Sequence, residues 1–232
     1  MIKVEDYKKL ENYIKKYELN NIFSDDVRDY MSLYMFNKND YICRENEHLE
    51  NMFFLVKGKA KVSKHLENGR SLLISFYSPL TIIGDVEFVR NNKTDCSVQT
   101  IKDTYCIGIK FEVVRKHLTK DCKFLLKICD YLGEKLRNGS NNSSINLLYP
   151  LENRLASYIV AFTNIENEDN EVKKFKFKEN YSEIAELLGT SYRHLNRTLN
   201  KFCLDGILEK HGREYIIEDL QRLLYLAGEL YK

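Results

Sequence analysis

Residues 180–208, NYSEIAELLGTSYRHLNRTLNKFCLDGIL, carry the most specific pattern in the chain. Asn180 and Glu183 have the spacing of a capping box, in which the cap side chain and the carboxylate three residues on each satisfy a backbone N–H at a helix start. Ile184, Ala185, Leu187 and Leu188 supply an apolar stripe, Gly189 a sharp bend, and Ser191 the cap of a second helix. Two short helices joined around a glycine form a helix-turn-helix, and the small Ala185 lets them approach closely. On the second helix Leu195, Leu199 and Phe202 fall inward. Tyr192, Arg193, His194, Asn196, Arg197 and Lys201 fall outward.

From Gly189 to Cys203 there are three basic residues and no acidic one, in a chain whose net charge is only +2. That concentration is the local electrostatic footprint expected of a nucleic-acid binder. Arginine grips guanine edges bidentately and asparagine grips adenine, so Arg193, Arg197 and Asn196 read as base contacts, with Ser191, Tyr192 and His194 beside them. Lys201, further along the helix, suits phosphate. Ile207–Glu209 and Glu214–Ile217 flank His211-Gly212-Arg213, the pattern of a β-hairpin wing, and Arg213 is placed to meet backbone phosphate. Double-stranded DNA is the expected partner.

The 232 residues are 44% hydrophobic and 30% charged, which suits a folded chain of two domains. No apolar run is long enough to span a bilayer, and MIKVEDYKKLENYIKKY lacks the apolar core of a signal peptide, so a cytoplasmic protein with no membrane partner is expected. The six cysteines are scattered without zinc or cluster spacing and read mostly as packed, reduced thiols. His48, His65, His117 and His211 are isolated, and no metal site is expected. Asp85 and Glu87 lack an accompanying nucleophile or metal set, which argues against an enzyme.

Upstream, Tyr7, Leu10, Tyr13, Ile14 and Tyr17 predict a helix within residues 4–18. Residues 52–56, 60–63, 72–77, 98–101 and 105–109 are short β-branched or aromatic runs separated by turn residues. Asn68-Gly69 is the strongest hairpin signal among them, because both residues tolerate positive φ. Together they predict an all-β roll. Leu125, Ile128, Cys129, Leu132 and Leu136 then form the stripe of a helix over 121–138, expected to be a dimer seam with one edge against the β-roll. Asn138–Ser144 reads as a helix end or hinge, Pro150 opens a helix through Phe162, and Asn164–Lys174 reads as a polar loop. The expected fold is α+β: an antiparallel, jelly-roll-like β-roll with a leading helix (1–110), a central dimerisation helix and hinge (111–146), and a winged helix-turn-helix (147–232).

The Ile184-Ala185 to Gly189 spacing, the start of the second helix at Ser191 to Arg197, and Gly206-Ile207-Leu208 before a hairpin resemble the winged helix-turn-helix of the Crp/Fnr family. Asn39–Ile42, Glu45-Asn46-Glu47, Phe53–Val62, Asn68-Gly69-Arg70 and Ile83-Gly84-Asp85 follow that family's β-roll in order, so the resemblance covers about residues 30–225. Ser71–Phe76 and Ser191–Leu195 are most similar to its YeiL-type branch. The resemblance implies a homodimeric transcription regulator that places two recognition helices in successive major grooves of an inverted-repeat operator, with RNA polymerase as a further partner. It also implies an effector region at Gly84, Asp85, Val86, Thr94 and Asp95, with Asn138–Asn146 as a hinge.

Three departures limit what the resemblance carries over. Where cyclic-nucleotide-binding relatives offer an arginine and a serine or threonine to phosphate, this chain has Thr94 and Asp95, and Asp85 follows Gly84; these acids argue against cyclic AMP. Cys43 stands alone in the first 90 residues, without the cysteine cluster of an iron-sulfur centre. The effector is therefore left unassigned. Arg193 stands where well-known members carry a glutamate, which implies a different operator. The alternative, a ligand-binding β-roll that has lost DNA affinity, predicts a decayed recognition face, whereas this one keeps two arginines and no acids.

Overall fold

A computed structural model describes residues 1–65, 71–90, 92–162, 174–175, 177, 180–212 and 214–228. The Asn68-Gly69-Arg70 turn, residues 164–173 of the polar loop, and Arg213 lie outside the described residues. The chain divides into two compact units, Met1–Asn138 and Gly139–Lys232. This division runs through the central helix rather than at the expected boundary before residue 147.

In the first unit, β1 (Ile2–Val4) and helix α1 (Tyr7–Lys16) lead through two 3-10 turns to β2 (Ser32–Phe36) and β3 (Tyr41–Cys43). Next come β4 (Asn51–Lys57), β5 (Ala60–His65), β6 (Ser71–Tyr77), β7 (Ile82–Ile83) and the short helix α2 (Asp85–Arg90). β8 (Ser97–Thr100), β9 (Thr104–Lys110) and one turn, α3 (Phe111–Val113), complete the unit before α4 (Cys122–Leu148). The strands form two antiparallel sheets, ordered β1-β2-β9-β4-β7 and β3-β8-β5-β6. This is the expected β-roll.

β4 is buried on both faces because its side chains alternate between two cores. Phe53 and Leu55 join Phe36, Val62 and Val98 between the sheets. Met52, Phe54 and Val56 face the other way, packing with Leu10 and Ile14 of α1 and with Phe124 and Ile128 of α4. Phe124 stacks on Phe23 with ring centroids 5.6 Å apart and meets Phe88 edge-on at 5.5 Å. One side of the first turns of α4 therefore belongs to the β-roll core.

The stretch 138–144, expected as a helix end or hinge, is helical throughout. Asn, Ser and Gly lower helix propensity by up to about 1 kcal/mol each, and tertiary anchoring at both ends of α4 outweighs that. At the start, Asp121 accepts from the backbone N–H groups of Lys123 and Phe124 at 3.0 and 3.1 Å and from the Ser24 hydroxyl at 2.6 Å. Near the end, Ile145 is buried and Asn146 is hydrogen-bonded within the second unit.

The second unit contains α5 (Leu151–Phe162), β10 (Lys174–Phe175), α6 (Tyr181–Leu187), α7 (Tyr192–Leu204), the hairpin β11 (Leu208–His211) and β12 (Glu214–Ile217), and α8 (Leu220–Ala227). Leu155, Ile159, Ile184, Leu195, Leu199, Phe202, Tyr215 and Leu223 form its core. β10 adds a third strand to the wing, pairing Phe175 with Tyr215. Among the described residues no helix is long and apolar enough to cross a membrane.

Candidate nucleic-acid interface and effector region

The capping box forms: Asn180 Oδ1 accepts from the Glu183 N–H at 2.9 Å, and Glu183 reaches back to the Asn180 N–H at 3.4 Å. Gly189 makes the bend at φ +60°, and the Ser191 hydroxyl accepts from the His194 N–H at 3.2 Å. This start fixes α7 with Leu195, Leu199 and Phe202 fully buried. The α7 stripe then sets what faces outward. Ser191, Tyr192, Arg193, His194, Arg197 and Lys201 are exposed, and Asn196 is half-buried.

Arg193 and Arg197 lie one turn apart on that face, and among the described residues neither makes an ion pair. The Tyr192 ring leans on Tyr181 at 6.4 Å, and the Tyr181 and Tyr215 hydroxyls lie 3.1 Å apart. His194 Nδ1 lies 3.2 Å from the Thr190 hydroxyl. Lys201, expected as a phosphate contact, meets an acid of its own unit: its ammonium contacts Glu152 of α5 at 2.6 Å, and that carboxylate raises the lysine above its ordinary value. Such an exposed pair contributes little and is readily exchanged for another anion.

Of the five residues of the expected effector region, Gly84, Asp85 and Thr94 are buried, Val86 is half-buried and Asp95 is exposed. Gly84 holds φ +103°, and the buried Asp85 begins α2, accepting from the Val86 N–H at 3.0 Å. Lys135 of α4 donates to Asp85 at 2.8 Å and to the Ile82 carbonyl at 2.9 Å. Asp85 is thus neutralised from within, where the sequence suggested a bare acid repelling an anion. Thr94 is buried: its hydroxyl donates to the Arg44 carbonyl and its backbone N–H to the Glu47 carbonyl at 3.0 Å, tying down the turn before β4. Asp95 points outward, 3.5 Å from Arg90. No cationic or hydroxyl pair is assembled for a cyclic phosphate among these residues, so they do not fit cyclic AMP. Burial pushes the Cys43 thiol up to about 12 and Cys106 higher still, which keeps both protonated.

Against known proteins, the cyclic nucleotide-binding domain matches residues 35–121 and the Crp-like helix-turn-helix domain residues 153–226. Regulatory protein YeiL of Escherichia coli O157:H7 is 32% identical over 208 residues, covering 90% of this chain and 91% of that protein. The chain belongs to the Crp/Fnr family. The CRP-like cAMP-activated global transcriptional regulator of Mycobacterium tuberculosis strain H37Rv is 20% identical over 180 residues, 77% of this chain and 80% of its own. A solved Crp/Fnr-family structure from Eubacterium rectale shares the fold, with a TM-score of 0.74 at 16% identity over 93% of this chain and 99% of that one. As a Crp/Fnr-type protein the chain is a transcription regulator with a helix-turn-helix DNA-binding domain, and the family is not enzymatic.

This Crp/Fnr chain divides the expected dimer stripe in two. Ile128 is buried against its own β-roll and Leu125 and Leu132 are half-buried there, whereas Cys129 and Leu136 are exposed. The open face is shifted by one residue. It runs through Cys122, Leu126, Cys129, Gly133 and Leu136, spaced alternately by four and three, with Leu126 and Leu136 71% and 76% exposed. Cys122 and Cys129, read from the sequence as packed thiols, therefore lie on the surface. Among the described residues no group of three or more His, Cys, Asp or Glu could hold a metal.

Proposed function

We propose that the chain acts in the cytoplasm as a homodimer, joined along the open face of α4, that reads an inverted-repeat promoter operator with α7. The observation that carries this reading is the outward α7 face, where Arg193 and Arg197 are exposed and, among the described residues, make no ion pair, while Leu195, Leu199 and Phe202 on the opposite face are buried. Arg193, Asn196 and Arg197 meet base edges, and Ser191, Tyr192 and His194 approach the backbone near the start of the helix. Lys201 exchanges Glu152 for phosphate. Arg213, which follows Gly212 in the chain, contacts phosphate, and RNA polymerase is the partner that makes operator occupancy matter. The four-three spacing of apolar and small residues on α4 is that of a coiled-coil seam, and a two-fold dimer places the reading heads roughly 34 Å apart.

Fluorescence anisotropy against duplexes selected from a random pool tests the reading. Binding falls steeply with salt because phosphate contacts release counterions, and the selected sites are inverted repeats. Arg197→Ala loses about 1 to 3 kcal/mol on the selected operator and much less on random duplex. An Arg197→Ala protein with undiminished operator affinity would reduce this arginine to a surface charge.

The effector of the β-roll is not cyclic AMP. Thr94 and Asp95 stand where an anion needs positive partners, the Thr94 hydroxyl is already committed, and Asp85 is held by Lys135. Millimolar cyclic AMP is expected to leave operator affinity within about twofold, a change of less than 0.5 kcal/mol. A tenfold enhancement would overturn this assignment.

A further inference from the structure

The turn of the helix-turn-helix rests on two polar side chains from outside it. Arg154, buried on α5, donates through Nη1 to the Leu188 carbonyl and, at 3.0 Å, to Asn146 Oδ1. Asn146, on the last turn of α4, donates through Nδ2 to the Leu187 carbonyl at 3.5 Å. Leu187 ends α6 and Leu188 is its cap, so both carbonyls belong to the set that a helix C-terminus leaves without intrahelical donors. A guanidinium there also complements the negative end of the helix dipole. Gly189 is packed onto the same pair: a Cβ at this position would lie 3.3 Å from Asn146 Cγ and 3.4 Å from Arg154 Nη1.

Two residues beyond Gly189, Ser191 caps α7. The direction in which α7 leaves the bend is therefore set by how the bend is seated. Its seat is made of one side chain from α4 and one from α5. The core beneath α7 holds the helix against the unit, but apolar contacts are non-directional and leave small rotations inexpensive. Hydrogen bonds to specific carbonyls are directional and do not.

We infer that Asn146 and Arg154 are positioning residues for operator reading, coupling the last turn of α4 to the direction in which α7 presents its base-contacting side chains. The inference rests on α7 being the recognition helix. A base reader loses discrimination when its helix is displaced by a fraction of an ångström, whereas phosphate contacts tolerate that displacement. Loss of the seat consequently separates the two kinds of affinity.

Three variants of the full-length chain test this: Asn146→Ala, Asn146→Asp and Arg154→Lys. Each is titrated against a duplex selected by the wild-type protein and against random duplex at low salt, with the thermal midpoint measured alongside. Removing a hydrogen-bonded pair corresponds to about tenfold in an equilibrium. Asn146→Ala is expected to weaken operator binding by about that factor while random-duplex affinity stays within about twofold. Asn146→Asp keeps the acceptor for Arg154 but loses the donor to the Leu187 carbonyl, and falls between wild type and Asn146→Ala. Arg154→Lys, which cannot span both acceptors in the same way, resembles Asn146→Ala. Equal loss on both duplexes, or no loss on either, with an unchanged midpoint overturns the inference. An Arg197→Ala control separates the two readings: if it keeps full operator affinity, the recognition-helix assignment has failed, and if it loses operator affinity while the Asn146 variants do not, only the seat has failed.

Discussion

Lys135→Met lowers the stability of the N-terminal unit by about 3 kcal/mol, the lower end of the range for removing one partner of a buried ion pair. The Asp85 side chain is 2% exposed and that of Lys135 26%. Methionine preserves the packed stem of the lysine while leaving the Asp85 carboxylate without its counter-charge. In a thermal melt of a unit this size the midpoint drops by roughly 6 to 12 °C. A second substitution, Asp85→Asn, removes the stranded charge while keeping an acceptor for the Val86 N–H, so the double variant recovers most of the loss. The charge state sets the pH range. Burial works against protonated Lys135, but Tyr77 and Asp85 outweigh it and raise the lysine above its ordinary 10.5. A raised pKa stabilises fully below the unfolded value and is lost as pH climbs through the folded one. The difference between wild type and variant therefore stays constant from about pH 6 to 9. A Lys135→Met midpoint within 2 °C of wild type would mean that the pair is a surface ornament.

The helix-turn-helix was readable from sequence because its determinants are local. Asn180 and Glu183 are three residues apart, Gly189 needs its φ for a reason visible in its neighbours, and Leu195, Leu199 and Phe202 repeat at the helical period. Long strands were readable for similar reasons, since β4 and β9 are dense in aromatic and β-branched residues. β1 and β10, of three and two residues, carry no periodicity of their own and exist only through pairing with β2 and β12. Which edge of the α4 stripe faces the β-roll is not legible in the sequence for a different reason. Both Leu125-Ile128-Leu132 and Leu126-Cys129-Leu136 fit a helical stripe, and only burial beside Phe54 and Phe124 reveals which side the β-roll takes. Lys135 and Arg154 each sit in a helix where a cation reads as solvated. Their partners, Asp85 and Leu188, are 50 and 34 residues distant, a separation that no local pattern encodes.

Leu126→Glu combined with Leu136→Glu converts the dimer to a monomer and weakens operator binding on the order of 10² to 10³-fold. Both leucines are exposed on the four-three face, Leu126 three residues before Cys129 and Leu136 three residues after Gly133, and neither belongs to the β-roll core. Glutamates at these positions bring like charges together across a two-fold axis, where each would also be partly desolvated. The fold itself is spared, because Phe124 and Ile128 on the opposite side still hold α4 to the sheets. Operator affinity falls because one reading head must then bind alone, without the effective concentration that its twin provides. Light scattering at micromolar concentration reads the mass and anisotropy reads the operator. Leu132→Ala is the contrasting variant: it removes a side chain packed against the β-roll, so it lowers thermal stability and leaves the dimer mass unchanged. If the double glutamate variant keeps dimer mass, the seam is not on this face. If instead Leu132→Ala dissociates the dimer, the partner helix approaches from the side originally read from the sequence.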